Sequence, residues 1–130
     1  MSQKKRILVV DDDDGFRALV TRSLRNTYIV LPASDGEEAF DKALELRPDA
    51  ILLDLDMPGW DGVKTLREIR RSPALRNVPV VALSADHRRE TIQSVIIEGA
   101  SDYLLKEAFH SDPGTLPTKL RQLVATQTAL

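Results

Sequence analysis

Four short apolar runs in the sequence each end at a polar residue of a type that serves phosphoryl chemistry. If these runs are neighbouring parallel strands, their carboxyl ends lie at one edge of a sheet and the polar residues gather there. Carboxylates, a hydroxyl and an ammonium group together form a site for a divalent cation and a phosphoryl group. The residues are Asp11 and Asp12 after the first run, Asp54 after the second, Ser84 after the third and Lys106 after the fourth.

The acidic run Asp11–Asp14 concentrates negative charge directly after the first apolar run. Two unit charges ~4 Å apart repel by about 4 kcal/mol at an effective dielectric constant of roughly 20, and a bound cation relieves such repulsion. Mg²⁺ takes oxygen ligands and often joins one or two carboxylates to a phosphate. We therefore expect Asp11 and Asp12 to bind Mg²⁺. Asp13 and Asp14 are expected to lie in a solvated turn, where one of them caps the following helix.

Asp54 is the candidate nucleophile, because a carboxylate can attack phosphorus to give an aspartyl phosphate. The reaction needs a cation to neutralise the phosphoryl oxygens and in-line access for the donor. Ser84 can donate a hydrogen bond to a phosphoryl oxygen, and Lys106 offers a compact positive charge. Taken singly, each residue could equally be a helix cap, a turn residue or a solvated surface group. The combination at the four strand ends is the specific signal.

Strand-like and helix-like patterns alternate along the whole chain, which predicts an α/β domain with a parallel sheet and helices on both faces. Asp35 and Glu38 have the spacing of a capping box, and Pro32 is expected to end the second strand. Glu107–Pro117 is expected to be a loop before the fifth helix, which carries Leu116 and Leu120. The predicted strands are Arg6–Val10, Thr27–Leu31, Ala50–Leu53, a run from Val80, and Tyr103–Leu105.

The length and composition of the chain indicate a single domain and argue against membrane-spanning, disulfide-rich and nucleic-acid-binding proteins. The chain has 130 residues, which suits a single domain with a core of about residues 5–125, and no output domain is recognisable in it. A net charge of −2 gives no electrostatic footprint for direct binding of nucleic acid. The sequence has no cysteine, and no apolar run approaches the ~20 residues that span a membrane. The basic start lacks the features of a signal peptide, so we expect a cytoplasmic protein without membrane association.

Four sequence motifs and their order along the chain resemble the receiver domain of bacterial two-component response regulators. The similarity covers roughly Lys5 to Val124. It implies a doubly wound, flavodoxin-like fold with a five-stranded parallel sheet of order 2-1-3-4-5, and a switch controlled by phosphorylation. The motifs are Val9-Val10-Asp11-Asp12, Leu53–Gly62 with its Met-Pro-x-x-Asp-Gly pattern, Leu83-Ser84-Ala85, and Gly99–Lys106.

The resemblance also implies a role for each site position. Asp54 would accept a phosphoryl group from the phosphohistidine of a histidine kinase in a reaction that requires Mg²⁺. Asp12 and Asp54 would bind the metal directly, together with the backbone carbonyl of Asp56. Asp11 would act mainly through coordinated water. Lys106 would pair with the phosphoryl group.

The switch itself is implied to depend on two further residues. Ser84 would turn towards the phosphoryl group, and Tyr103 would move inward into the space that Ser84 leaves. Such a change is a shift of population between two arrangements. The implied partners are a sensor histidine kinase or phosphotransfer protein, and a downstream target or output domain. A homodimer through the face of the fourth helix, fifth strand and fifth helix is a further possibility.

The chain departs from the family pattern after the lysine, where Glu107 replaces the usual proline. A cis bond before a residue other than proline costs ~3–4 kcal/mol, so we predict a trans Lys106–Glu107 bond and a remodelled segment. Asp56 and Asp86 occupy positions that border the entry to the site in this family. Their charges could tune the lifetime of the phosphoryl group.

The switch would transfer and hydrolyse only its own phosphoryl group and would not be a turnover enzyme. The sequence leaves two other functions open. Leu52–Asp56 resembles the first motif of haloacid-dehalogenase-like phosphatases, but that motif normally opens the chain. A receiver-like module that binds partners constitutively is the other alternative, although every reactive position is filled.

The aromatic residue Trp60, the two histidines and Ile97 lie outside the four motifs or have no role assigned by them. Trp60 is the only tryptophan and follows the predicted nucleophile, so it is a candidate fluorescence reporter or partner contact. His87 and His110 lack partners with metal-ligand spacing and are expected to be exposed. Ile97 falls outside the predicted buried stripe of the fourth helix, so its exposure would indicate a docking surface.

Overall fold

The computed structural model describes residues 4–85 and 88–128 of the chain. The predictions for Asp86 and His87 lie outside the described residues. Within this part of the chain, no helix is both long and apolar enough to cross a bilayer.

A five-stranded parallel sheet of order β2-β1-β3-β4-β5 forms the centre of the molecule, which confirms the predicted topology. The second strand begins later than predicted and includes Pro32, which was expected to end it. β2 lies at the edge of the sheet, where the missing N–H of a proline is tolerated. The strands are β1 (Arg6–Val10), β2 (Ile29–Ala33), β3 (Ala50–Asp54), β4 (Val80–Ser84) and β5 (Asp102–Leu105).

The predicted loop Glu107–Pro117 is wrong, because most of this segment is helical. A six-residue helix starts at Lys106, and the next begins at Thr115, with Pro117 in its first turn, where a proline is tolerated. Phe109 anchors the short helix with only 3% of its surface exposed. The helices are α1 (Asp14–Leu24), α2 (Gly36–Leu46), α3 (Gly62–Arg71), α4 (Arg89–Ile97), α5 (Lys106–Ser111) and α6 (Thr115–Thr128).

The helices cover both faces of the sheet, as predicted, and two hydrophobic clusters fill the space beneath them. Successive residues of a strand point to opposite faces, so Leu8 and Val10 belong to one cluster and Ile7 and Val9 to the other. α2, α3 and α4 contribute to the first cluster, and α1, α5 and α6 contribute to the second. Burial on both faces explains why the central strands β1, β3 and β4 are nearly continuous apolar runs.

The register of the strands aligns their carboxyl ends. Val10 of β1 pairs with Leu53 of β3, and Ser84 of β4 pairs with Leu105 of β5. Asp54 is the last residue of β3 and pairs with Leu83. The polar residues that end each apolar run therefore lie at the same edge of the sheet.

Candidate functional site

Three carboxylates meet at the carboxyl edge of the sheet. Asp11 and Asp54 are buried, while Asp12 is exposed. One carboxylate oxygen from each of these residues lies within 4.8 Å of the others. This arrangement brings together Asp11, Asp12 and Asp54 as the sequence predicted.

The donor set of this cluster fits a small divalent cation. Asp11 Oδ2 is buried, and within the described part of the chain no donor makes a hydrogen bond of good geometry to it. Its close contact is the ion pair with Lys106 Nζ at 2.8 Å. Two buried carboxylates and one exposed carboxylate leave one side open, which suits an ion that keeps several waters.

The side chain of Asp56 lies outside this carboxylate group. It is exposed, and it accepts a hydrogen bond from Ser84 Oγ at 3.3 Å. The resemblance assigns metal binding to the Asp56 backbone carbonyl, and that role stays a prediction.

Lys106 places its ammonium group between the two buried carboxylates. Lys106 Nζ lies 2.8 Å from Asp11 Oδ2 and 3.4 Å from Asp54 Oδ1. Burial by itself would lower the pKa of Lys106, but the two carboxylates outweigh that effect and raise the pKa above its ordinary value. The lysine therefore stays positively charged throughout the physiological pH range.

The Asp54 carboxyl is difficult to ionise in the metal-free site. Burial, with a smaller contribution from the charge of Asp11, raises the pKa of Asp54 to about 7. The backbone N–H of Asp56 donates to Asp54 Oδ1 at 3.2 Å, and this bond and Lys106 oppose the rise. A cation beside Asp54 would favour the ionised form that nucleophilic attack requires.

The segment between β3 and α3 folds back tightly onto Asp54. Gly62 N donates to Leu55 O at 3.2 Å, and a Cβ atom on Gly62 would lie only 2.6 Å from Asp54 O. Gly59 has a φ of +72°, which favours glycine, and Asp61 caps α3 by accepting from Lys64 N. The Gly-x-Asp-Gly part of the sequence thus closes the loop that carries Asp56.

The segment between β1 and α1 holds the acidic residues through local hydrogen bonds. Asp13 is the N-cap of α1 and accepts from Gly15 N and Phe16 N, which confirms the predicted cap. Asp13 N donates to Asp11 Oδ1 at 2.9 Å. Arg17 Nη1 donates to the backbone oxygen of Asp11 at 2.6 Å.

Arg17 and Phe16 are site residues that the sequence reasoning missed. Arg17 also pairs with the Asp14 carboxylate, three residues earlier, so an acidic–basic pair at helical spacing was the available signal. The helical spacing of Phe16, Leu19, Val20 and Leu24 indicates only a core position for Phe16, but Lys106 Nζ lies over its ring, 4.6 Å from the centroid. No local sequence signal predicts this contact, because the two residues are distant in the chain.

The two predicted switch residues lie on neighbouring strands. Ser84 ends β4 and is 1% exposed, with its hydroxyl directed to Asp56. Tyr103, on β5, is half-buried and packs against the hydrophobic cluster beneath α2, α3 and α4. The inward movement assigned to Tyr103 by the resemblance stays a prediction.

Most of the sequence matches the model of a known protein family. The model of the response regulator receiver domain matches residues 7–120. The chain belongs to this receiver domain family.

Relatives of this receiver domain are longer response regulators. Transcriptional regulatory protein PrrA of Mycobacterium leprae is 40% identical over 126 residues, which cover 96% of this chain and 49% of PrrA. Response regulator PleD of Caulobacter vibrioides is 43% identical over 103 residues, which cover 78% of this chain and 22% of PleD. The chain therefore spans about half the length of PrrA and a smaller part of PleD.

Solved receiver structures share the fold over almost their entire length. Chemotaxis protein CheY4 of Vibrio cholerae matches with a TM-score of 0.86 and 30% identity, covering 93% of this chain and 99% of CheY4. The response regulator domain of Thermotoga maritima CheB matches with a TM-score of 0.84 and 28% identity, covering 95% of this chain and 98% of that domain. The receiver fold is therefore shown independently of the motifs.

Proposed function

We propose that this receiver domain is a phosphorylation-dependent switch in which Asp54 accepts the phosphoryl group. The observation that carries the proposal is the position of the Asp54 carboxylate. It lies in one cluster with those of Asp11 and Asp12, and 3.4 Å from Lys106 Nζ. The carboxyl edge of a parallel sheet is where open α/β folds bind ligands, and three carboxylates with one lysine suit a cation and a phosphoryl group there.

In the proposed reaction, an Asp54 carboxylate oxygen attacks the phosphorus of a phosphohistidine. The new O–P bond forms while the N–P bond breaks, and the imidazole nitrogen leaves with the electron pair. Asp12, Asp54 and the Asp56 carbonyl would hold Mg²⁺ directly and Asp11 would hold it through coordinated water, and the ion would supply charge neutralisation for the phosphoryl oxygens. Lys106 would bind one phosphoryl oxygen, and Ser84 would donate a hydrogen bond to another.

The decisive experiment is incubation with acetyl phosphate and Mg²⁺, followed by intact-mass analysis and mapping of the modified residue. We expect one added phosphoryl group on Asp54, and none in Asp54→Ala. Asp41→Ala is the matched control, because Asp41 is an exposed aspartate on α2. Retained labelling of Asp54→Ala would show that another residue is the acceptor.

We further propose that the domain transfers and hydrolyses only its own phosphoryl group and is not a turnover enzyme. The Asp56 carboxylate is directed to Ser84 and lies outside the carboxylate cluster, which does not suit a phosphatase general acid. Turnover of p-nitrophenyl phosphate that is abolished by Asp56→Asn would contradict this proposal.

The proposed partners follow from the chemistry and from the relatives. The phosphoryl donor is a sensor histidine kinase or a phosphotransfer protein, and the reaction takes place in the cytoplasm. PrrA is named a transcriptional regulatory protein and is about twice as long as the matched segment. We propose that an output domain or a separate protein target reads the switch, and that the receiver domain itself does not bind nucleic acid.

An exposed apolar surface on α4 is the proposed site of self-association. Ile97 is 83% exposed and Ile96 is 46% exposed. Lys119 of α6 pairs with Asp102 of β5 at 2.8 Å, and α6 is the helix predicted as the fifth. We propose that α4, β5 and α6 together make up the face for self-association.

The self-association proposal is tested by sedimentation with and without beryllofluoride, which mimics a phosphoryl group. We expect a dimer with beryllofluoride, and a monomer for Ile97→Asp under the same conditions. Leu44→Asp is the matched control, because Leu44 is a 38% exposed apolar residue on α2, which is not part of the proposed face. Equal association of Ile97→Asp and the wild type would exclude this face.

A further inference from the structure

The backbone at Lys106 does little by itself to fix the ammonium group. Lys106 is the first residue of α5, and the N-cap residue Leu105 makes no capping hydrogen bond through its side chain. The Lys106–Glu107 bond is trans, as predicted, and no proline follows the lysine. A lysine side chain has several rotatable bonds, so contacts beyond the backbone must define where its charge lies.

An aromatic ring provides such a contact. Lys106 Nζ lies over the ring of Phe16, 4.6 Å from its centroid, on α1. The face of an aromatic ring attracts a cation, and the attraction strengthens where water is excluded. Phe16 is 8% exposed, and Asp11, which pairs with the same ammonium group at 2.8 Å, is fully buried.

Phe16 is itself held by the helix that begins at Lys106. Phe109, three residues after Lys106 on α5, packs against Phe16 edge-to-face with ring centroids 5.7 Å apart and an interplanar angle of 62°. Residues three apart lie on the same side of a helix, so Lys106 and Phe109 contact Phe16 together. The rings thus connect α1, which follows the acidic loop, to the start of α5.

We infer that Phe16 is a positioning residue that holds the Lys106 ammonium group between Asp11 and Asp54, with Phe109 supporting its ring. This inference rests on the proposed function, in which Lys106 binds the phosphoryl group on Asp54. The aromatic pair fixes the lysine in a chain that has Glu107 in place of a proline.

The position matters during phosphoryl transfer. As the bond from Asp54 to phosphorus forms, the bond to the leaving group breaks with its electron pair, and the phosphoryl oxygens need a nearby positive charge. Lys106 Nζ is already within 3.4 Å of Asp54 Oδ1. The ring of Phe16 keeps the ammonium group there, so little reorganisation is needed during the reaction.

The first test compares Phe16→Leu, which keeps an apolar side chain, with Phe16→Tyr, which keeps the ring. We expect phosphorylation of Asp54 by acetyl phosphate with Mg²⁺ to slow about three- to tenfold in Phe16→Leu and to stay near the wild-type rate in Phe16→Tyr. Nuclear magnetic resonance gives a second readout, because the ring current should shift the terminal methylene protons of Lys106 upfield. That shift should persist in Phe16→Tyr and vanish in Phe16→Leu.

A double-mutant cycle separates positioning from a general structural role. In a Lys106→Gln background, Phe16→Leu should cause no further slowing of phosphorylation. Equal slowing in both backgrounds, or an unshifted Lys106 methylene signal in the wild type, would overturn the inference. A wild type that is labelled at Asp54 at the same rate as Phe16→Leu would overturn the positioning role while leaving the proposed function intact. An unlabelled wild type would sink the proposed function and this role with it.

Discussion

At the scale of single residues, the site buries carboxylates whose charged forms are disfavoured by burial. Asp11 and Asp54 are both buried, and the positive charge that contacts them both is that of Lys106. One ammonium group cannot neutralise two carboxylates, and the pKa of Asp54 rises to about 7 as a result of burial and of the Asp11 charge. A divalent cation would complete the charge balance, which is the contribution that the proposed function assigns to Mg²⁺.

The burial of these carboxylates predicts a pH dependence of stability. Because the pKa of Asp54 rises from 3.8 in the unfolded chain to about 7, the folded state holds the proton more tightly. The free energy of unfolding without metal should therefore fall as pH rises from about 4 to about 7, by at most about 4 kcal/mol. Asp54→Asn should remove this fall and be more stable than the wild type at pH 8.

Urea denaturation at pH 5 and pH 8 in the presence of a chelator measures the effect. Mg²⁺ should restore stability to the wild type at pH 8 and have little effect on Asp54→Asn. Parallel pH profiles for the two proteins would show that the Asp54 carboxyl does not titrate in this range.

At the scale of elements, the connection from β3 to α3 requires a glycine at position 62, because there is no space for a side chain there. A Cβ atom on Gly62 would lie 2.4 Å from Leu55 Cα and 2.6 Å from Asp54 O, and both of these are backbone atoms. Gly62→Ala must therefore push the loop away from Asp54. We expect a loss of about 1–3 kcal/mol in the free energy of unfolding, together with slower phosphorylation of Asp54.

Gly114→Ala is the matched control for this prediction, since its Cβ would lie 3.5 Å from Asp112 Oδ1, an ordinary contact. Its free energy of unfolding should stay within about 0.5 kcal/mol of the wild type. Chemical denaturation compares the two variants directly, and equal stabilities would mean that the loop adjusts without cost.

Two arginines of α3, Arg70 and Arg67, link this helix to the turn after α4, and their contributions are expected to differ. Arg70 is half-buried and donates to the backbone oxygens of Gly99 at 2.9 Å and Val78 at 2.6 Å. Arg67 makes an exposed pair with Glu98. Arg70→Ala should lower the free energy of unfolding by about 2–3 kcal/mol, because it leaves buried carbonyls without a charged donor.

Arg67→Ala is the comparison, and its effect should be small and should fade with added salt. Denaturation at low and high salt distinguishes the two variants. A larger loss from Arg67→Ala than from Arg70→Ala would contradict the assignment of Arg70 as the main link.

At the scale of the whole molecule, the sequence predicts the order of the sheet and the meeting of Asp11, Asp12, Asp54 and Lys106 at one edge, because the polar residues follow the strand ends. Each buried strand is a continuous apolar run, and a parallel sheet aligns the residue that follows. The predicted bounds of β2 were wrong because a proline ends most strands. Pro32 lies within β2 because an edge strand tolerates the missing N–H. α5 was missed because Phe109 is its only residue classed as buried, and one residue shows no periodicity.

The contacts that the sequence does not predict are those between distant elements. The ring of Phe16 meets Lys106 only after α1 and α5 pack on the same face of the sheet. The hydrogen bond from Ser84 to Asp56 similarly requires the end of β4 to lie beside the loop after β3. Side-chain partners of this kind are determined by tertiary packing, which a single sequence does not contain.

The pairing of Ser84 with Leu105 bears on how this chain tolerates changes in length. Side chains alternate between faces along a strand, so deleting one residue within β5 would turn the lysine to the wrong side of the molecule. Insertions in the turns at the opposite, amino-terminal edge leave every pairing unchanged. Natural variation in length should therefore accumulate far from the acidic pocket, while the spacing between a strand and its terminal polar residue stays constant.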